Sequence, residues 1–167
     1  MSGSGNAFNC FLGAWGILNA TLTNTTTGGH IPEWHSPYPA GQATYTEAGY
    51  NTFIMTANDT TQTSVRPRGL TLPAKPTDTD GQWALVGKYS LGAAGPFTIL
   101  PGNDGADQGT MINHYTTATL PSWVGLNVTN YFQFFDQCTL HVLQTYFGDE
   151  LVQTVFFKRL PDTSSLA

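Results

Sequence analysis

Ile112-Asn113-His114-Tyr115-Thr116-Thr117-Ala118-Thr119-Leu120-Pro121-Ser122-Trp123-Val124-Gly125 decides how this chain is read. It sets a polar, histidine-bearing strand directly before a Pro-x-Trp-x-Gly corner. Side chains alternate between the two faces of a strand, so this one carries hydroxyls, an imidazole and aromatics on its two sides. That suits the wall of a barrel with a ligand inside, whereas a strand with only a packing role would be more aliphatic.

The same grammar runs through the rest of the chain. Short β-branched and aromatic runs, punctuated by Gly, Pro, Asn and Asp, predict strands over Ala14–Leu22, Gly41–Thr46, Tyr50–Ala57, Gly87–Leu91, Phe97–Leu100, Thr110–Leu120, Asn130–Phe135, Thr139–Thr145 and Leu151–Leu160. Glu47-Ala48-Gly49 makes a tight hairpin, with Gly49 free to take positive φ. Asp136-Gln137 and Gly148-Asp149 separate later strands, and Gln82–Val86 can form one short helical turn. The prediction is an all-β fold, a single antiparallel barrel of about 8–9 strands whose closure removes exposed edges. Met1-Ser2-Gly3-Ser4-Gly5 reads as an expression scar, which leaves residues 6–167 as one domain.

Composition narrows the partners. Charged residues are 10% of the 167 and aromatics 13%, with a net charge of −5. The six Lys and Arg are few and scattered, which excludes a nucleic-acid surface. No apolar run approaches the roughly 18 residues of a membrane span. Sequons at Asn19, Asn24, Asn58 and Asn127, in a chain this poor in charge, favour a secreted or lumenal glycoprotein. Cys10 and Cys138 fit an oxidising compartment, either bridged between the N-terminus and the barrel wall or as two buried thiols.

His114 is the foremost titratable candidate, a general acid or base if its imidazole faces a cavity and a cross-sheet hydrogen-bonding group if it does not. No Ser or Cys is placed as its nucleophilic partner. His30 and His35 share a loop, but their spacing matches no ligand motif, so no metal or other cofactor is expected. Arg66, within Val65-Arg66-Pro67-Arg68, and Tyr45 are candidates for polarising a ligand carbonyl or enolate. Trp34, Tyr50, Phe53, Met55, Trp123 and Tyr131 are the candidate ligand-binding lining. Phe53 and Met55 share one strand face and Tyr50 the other, and alternation alone does not say which points inward. Aromatics left outside would be consistent with a homodimer.

Read in order, these features resemble a lipocalin-like domain family of microbial and fungal proteins. The resemblance rests on Leu12-Gly13-Ala14-Trp15, the hairpin Gly41-Gln42-Ala43-Thr44-Tyr45-Thr46-Glu47-Ala48-Gly49-Tyr50, Gly87-Lys88-Tyr89, His114 through Pro121-Ser122-Trp123-Val124-Gly125, and a last strand closing at Lys158-Arg159. It implies a small β-barrel with an internal ligand cavity, and an arginine, Arg159, lying over the indole of Trp15 at the base. The family often has two adjacent histidines where this chain has Asn113-His114. The resemblance also implies a function class: small cofactor-free cyclases and isomerases of polyketide or terpenoid intermediates, some of them pericyclases of Diels-Alderase type. The rival expectations are a secreted carrier of a small hydrophobic molecule, and a glycan- or protein-interaction domain with a filled barrel.

Overall fold

The computed structural model describes residues 3–31, 39–57, 69–101 and 107–163, with only the backbone for residues 3–6 and 101. Trp34, His35, Asn58 and Arg66 lie outside the described residues.

A helix, α1 (Gly3–Phe11), precedes strands β1 (Gly13–Asn24), β2 (Ala40–Tyr45) and β3 (Tyr50–Thr56). A second helix, α2 (Asp80–Lys88), leads into β4 (Ser90–Pro101), β5 (Gln108–His114) and the short β6 (Thr117–Ala118). A 3-10 turn (Pro121–Trp123) is followed by β7 (Asn127–Phe135), β8 (Leu140–Phe147) and β9 (Leu151–Arg159). All pairings are antiparallel. The order β3-β2-β1-β9-β8-β7-β5-β4 closes on itself through β3–β4, and β6 is an extra strand on β4. The result is a closed eight-stranded up-and-down barrel, which leaves its eight wall strands without a free edge.

Local chemistry explains most of the boundaries. The β2–β3 hairpin turns at Gly49 with φ 79°, where an L side chain would be strained. In α2, the Thr79 hydroxyl accepts from Gln82 N while the Gln82 side chain accepts from Thr79 N, a capping box that extends the expected turn to a nine-residue helix. In β1, Trp15 and Ala20 both point inward although they are five residues apart, because a bulge shifts the register between Ile17 and Asn19.

Two expectations change. The separate strands expected over Gly87–Leu91 and Phe97–Leu100 are the end of α2 and one strand, β4. The intervening Gly92-Ala93-Ala94-Gly95-Pro96 has little intrinsic strand preference, yet it pairs with β3 throughout. Conversely, the strand expected over Thr110–Leu120 breaks after His114 and resumes only as β6. There Thr116 N donates to Ala94 O, which brings the backbone over β4. A Cβ added at Gly95 would clash with the backbone oxygen of His114. Gly95→Ala is therefore expected to cost about 2–3 kcal/mol in urea unfolding, the overpacking range. An unchanged midpoint would show that the crossing is looser than this.

The core fills the barrel end beside α1. Ala7, Cys10 and Phe11 of that helix are buried, a spacing that puts them on one helical face. Phe11 meets the rings of Tyr45, Phe97, Phe132 and Phe134 at centroid distances of 4.9, 6.4, 5.1 and 4.6 Å. Cys10 is bridged to Cys138, which realises the N-terminus-to-wall alternative. Arg159 lies over Trp15 at 4.3 Å, as the resemblance implies. Its guanidinium also donates to Leu12 O and Cys10 O, both at 2.6 Å, and to Cys138 O at 3.0 Å. One side chain thus ties helix, disulfide and last strand together. Among the described residues, no helix is long and apolar enough to cross a membrane.

Candidate functional site: the polar rung inside the barrel

The inward positions of successive strands form a gradient. From the end opposite α1, β7 presents Asn130, Phe132 and Phe134; β8 presents Thr145, Leu143 and His141; β9 presents Gln153, Val155 and Phe157. Register aligns them, since Asn130 pairs with Thr145 and Thr145 with Gln153. A polar rung, an apolar middle and an aromatic floor follow one another down the barrel. Asn113 on β5 and Asn51 on β3 are also buried and inward-facing.

These groups border a cavity of about 50 Å³. Its lining includes Asn51, Asn113, Asn130, Thr145 and Gln153, with Tyr45, Phe53, Met55, Tyr115 and Trp123 around them, and no charged residue among those described. Asn113 Nδ2 donates to the Tyr115 hydroxyl at 3.2 Å, and Thr145 Oγ1 donates to Asn130 Oδ1 at 2.5 Å. Asn51 Oδ1, Asn113 Oδ1 and Gln153 Nε2 have no partner. Each such buried, unsatisfied group costs roughly 1–3 kcal/mol, so an apolar substitute would be the more stable choice if folding were the only demand.

Burial holds both phenols protonated. It pushes the Tyr115 hydroxyl up to about 12, opposed by the Asn113 hydrogen bond. Burial also raises Tyr45, helped by the nearby Tyr115 and opposed by a hydrogen bond from Asn51. At neutral pH they are hydrogen-bonding phenols and not bases.

Of the expected site residues, Tyr45, Phe53, Met55 and Trp123 come together at this cavity. Inward Asn51, Phe53 and Met55 settle the face of β3, and Tyr50, at 54% exposed, points out. Tyr131 also faces out, 50% exposed, edge-to-face with Tyr146 at 5.7 Å. It lines a groove of about 770 Å³ that runs from the outer side of β7 and β8 to the barrel rim, where Trp123, Val128 and Thr145 also line the cavity. His114 lies on the face of β5 opposite Met111 and Asn113, away from the cavity. Its Nδ1 is 2.7 Å from Asn127 Oδ1 and its Nε2 is 3.4 Å from Thr98 Oγ1, the cross-sheet arrangement that was its alternative. Of the sequons within the described residues, Asn127 is exposed and Asn19 and Asn24 are half-buried. Asn24 Oδ1 accepts from Thr26 N and Thr27 N, and Asn19 Oδ1 is buried without a partner.

The rung of amides went unnoticed in the sequence, although a signal was present. Asn51-x-Phe53-x-Met55, Asn130-x-Phe132-x-Phe134 and Gln153-x-Val155-x-Phe157 each put an amide in phase with two apolar residues. An amide in phase with core residues is inward by period-2 alternation.

A closed meander barrel, a helix-plugged floor and a polar rung above an apolar interior define a barrel built to handle small molecules. The chain belongs to the lipocalin-like domain family, whose match spans residues 12–158. A solved structure of a redesigned β-barrel is similar over 93% of this chain and 96% of its own length, at 16% identity and a TM-score of 0.42. No curated protein matches the chain.

Proposed function

We propose that the barrel takes in a small, largely hydrophobic molecule, seats its polar end against the amide rung and promotes its cyclisation or isomerisation without a cofactor. The observation that carries the binding step is the set of unpartnered polar atoms on a neutral cavity wall. The catalytic step extends that binding, with a polyketide or terpenoid intermediate as the substrate class. The described lining holds no nucleophile of the Cys or Lys type and no carboxylate, so the chemistry open to it is positioning and hydrogen-bond polarisation. A Diels-Alderase-type closure needs only those two. Tyr45 and Tyr115 would polarise a carbonyl, and Arg66 is retained as a candidate cation for the same end.

The cavity must widen for this. Its 50 Å³ is well below the roughly 300–1,000 Å³ of typical ligand pockets. Trp123 is the side chain placed to gate it, because it lines the cavity from a short surface turn and stacks on Tyr115 at 5.5 Å. Trp123→Ala is expected to tighten binding of an apolar fluorescent reporter about tenfold, or 1.4 kcal/mol. Unchanged affinity would exclude this route into the barrel.

Catalysis is tested by incubating the purified protein with a linear polyene that carries its own dienophile and closes slowly in buffer. A faster rate and one dominant stereoisomer are expected. A rate and product ratio equal to buffer would remove the catalytic step. The described lining holds no carboxylate, imidazole or amine, which favours the second reading, a carrier that releases its ligand unchanged. The Cys10–Cys138 bridge is compatible with the secretory setting in which such a carrier would act. Native mass spectrometry of protein from its own host separates the two: an unaltered ligand that survives purification supports carriage.

A further inference from the structure

The unpartnered atoms of the cavity lining specify a head group. Asn51, Asn113 and Gln153 are 4%, 3% and 5% exposed, and all three line the same cavity. Both asparagines are oriented by tyrosines. Asn113 gives its N–H to Tyr115 at 3.2 Å, and the Asn51 side chain hydrogen-bonds Tyr45. What is left facing no partner is an acceptor on Asn51, an acceptor on Asn113 and a donor on Gln153. A ligand that completes the set must supply two donors and one acceptor.

Resting on the proposed binding in the barrel, we infer that the polar lining of the cavity recognises a neutral dihydroxy head group on a hydrophobic molecule. Its two hydroxyls donate to Asn51 Oδ1 and Asn113 Oδ1, and one of them accepts from Gln153 Nε2. Each hydroxyl is at once donor and acceptor, so two of them satisfy three protein atoms. A carboxylate or phosphate supplies acceptors where two of the three unpartnered atoms are already acceptors, and the described lining offers no cation to balance its charge. An ether can accept from Gln153 Nε2 but leaves both asparagine acceptors unsatisfied, and a hydrocarbon leaves all three atoms unsatisfied. The volume agrees, because about 50 Å³ is room for a few heavy atoms when one water needs roughly 10–15 Å³. The head fits as the cavity stands, and the body of the ligand takes the space released at Trp123.

Three probes with the same ring test this: resorcinol, benzoate and 1,3-dimethoxybenzene, titrated calorimetrically into the full chain and into Trp123→Ala. Resorcinol is expected to bind at least tenfold more tightly than either of the others. Asn113→Leu and Gln153→Met should each weaken resorcinol binding at least fivefold. If one variant does not fold, the other reports on its own contact. Equal binding of resorcinol and dimethoxybenzene overturns the head-group assignment and leaves barrel binding intact. Tighter binding of benzoate also overturns it, because that result requires amide N–H groups turned toward the ligand. Failure of all three probes on both proteins removes the barrel-binding reading and this inference with it.

Discussion

A Cys10→Ser/Cys138→Ser double variant is expected to lose about 4–5 kcal/mol of unfolding free energy at neutral pH. The bridge spans a sequence separation of 128, and closing a loop of that length in the unfolded chain is worth about 5 kcal/mol in the chain-entropy model. Two local features make the site sensitive. Asp136, Gln137 and Cys138 have φ of 49°, 54° and 65°, three consecutive non-glycine residues in the left-handed region. That conformation is uphill by roughly 1–3 kcal/mol per residue and persists only where its surroundings hold it. The disulfide is one of those holds, and Arg159 Nε on Cys138 O is another. Second, the bridge anchors α1, whose Phe11 is fully buried among four aromatic rings. Without the bridge, the helix is kept by that packing and by the Arg159 bonds to Cys10 O and Leu12 O. Paired urea titrations decide the matter. A loss under about 1 kcal/mol would show that the unfolded chain is already compact near these residues or that the turn relaxes in compensation.

How far the sequence carried the fold follows from how local each signal is. Gly49 marks a turn by itself, whereas the short turn expected over Gln82–Val86 stops short of the helix start that Thr79 and Gln82 cap between them. Trp15 and Arg159 lie far apart in the chain, but they are legible as a pair through a resemblance that fixes both at once. The strand β4 was hidden because its middle is Gly, Ala and Pro. Those residues are small there because the backbone after His114 crosses them, a demand that exists only in three dimensions. The helix α1 was hidden for a related reason. Its Gly- and Ser-rich start has poor helix propensity, and its order comes from docking Phe11 into the floor. The candidate site divides in the same way. Phe53, Met55, Trp123 and Tyr45 are legible by residue type, while the amides become legible only once the inward face of each strand is known. His114 attracted attention for its chemistry, yet its strand turns it outward; the inward neighbour is Asn113, and the rung is built from residues of that kind.

The other large effect is expected from His141, and its size depends on pH. Its ring is fully buried, stacked on Phe157 at 4.6 Å and edge-on to Trp15 at 4.3 Å, with Phe11 and Phe134 also around it. Neither ring nitrogen has a partner. The titratable neighbours are Tyr45, at 6.4 Å between centroids, and the Arg159 guanidinium. Burial first, and the arginine second, hold the imidazole down to about 3 from its ordinary 6.5. Between those values the unfolded chain binds a proton that the native state refuses. Stability therefore falls as pH drops from 6.5 toward 3, by about 1.36 kcal/mol per pH unit and about 5 kcal/mol in all. His141→Phe keeps an aromatic ring on Phe157 and removes both unpartnered nitrogens. It is expected to stabilise the protein by about 1–2 kcal/mol at pH 7, where unsatisfied burial is relieved but the larger ring packs more tightly. At pH 4.5 the advantage should widen by a further 2–3 kcal/mol or so, because the variant has no imidazole to protonate on unfolding. Urea unfolding of native and variant protein at the two pH values reads the effect directly. If both lose the same stability on acidification, His141 is not held neutral in the folded barrel. If the variant is weaker at pH 7 but still gains relative to native at pH 4.5, the linkage holds and the floor is too tightly packed for the larger ring.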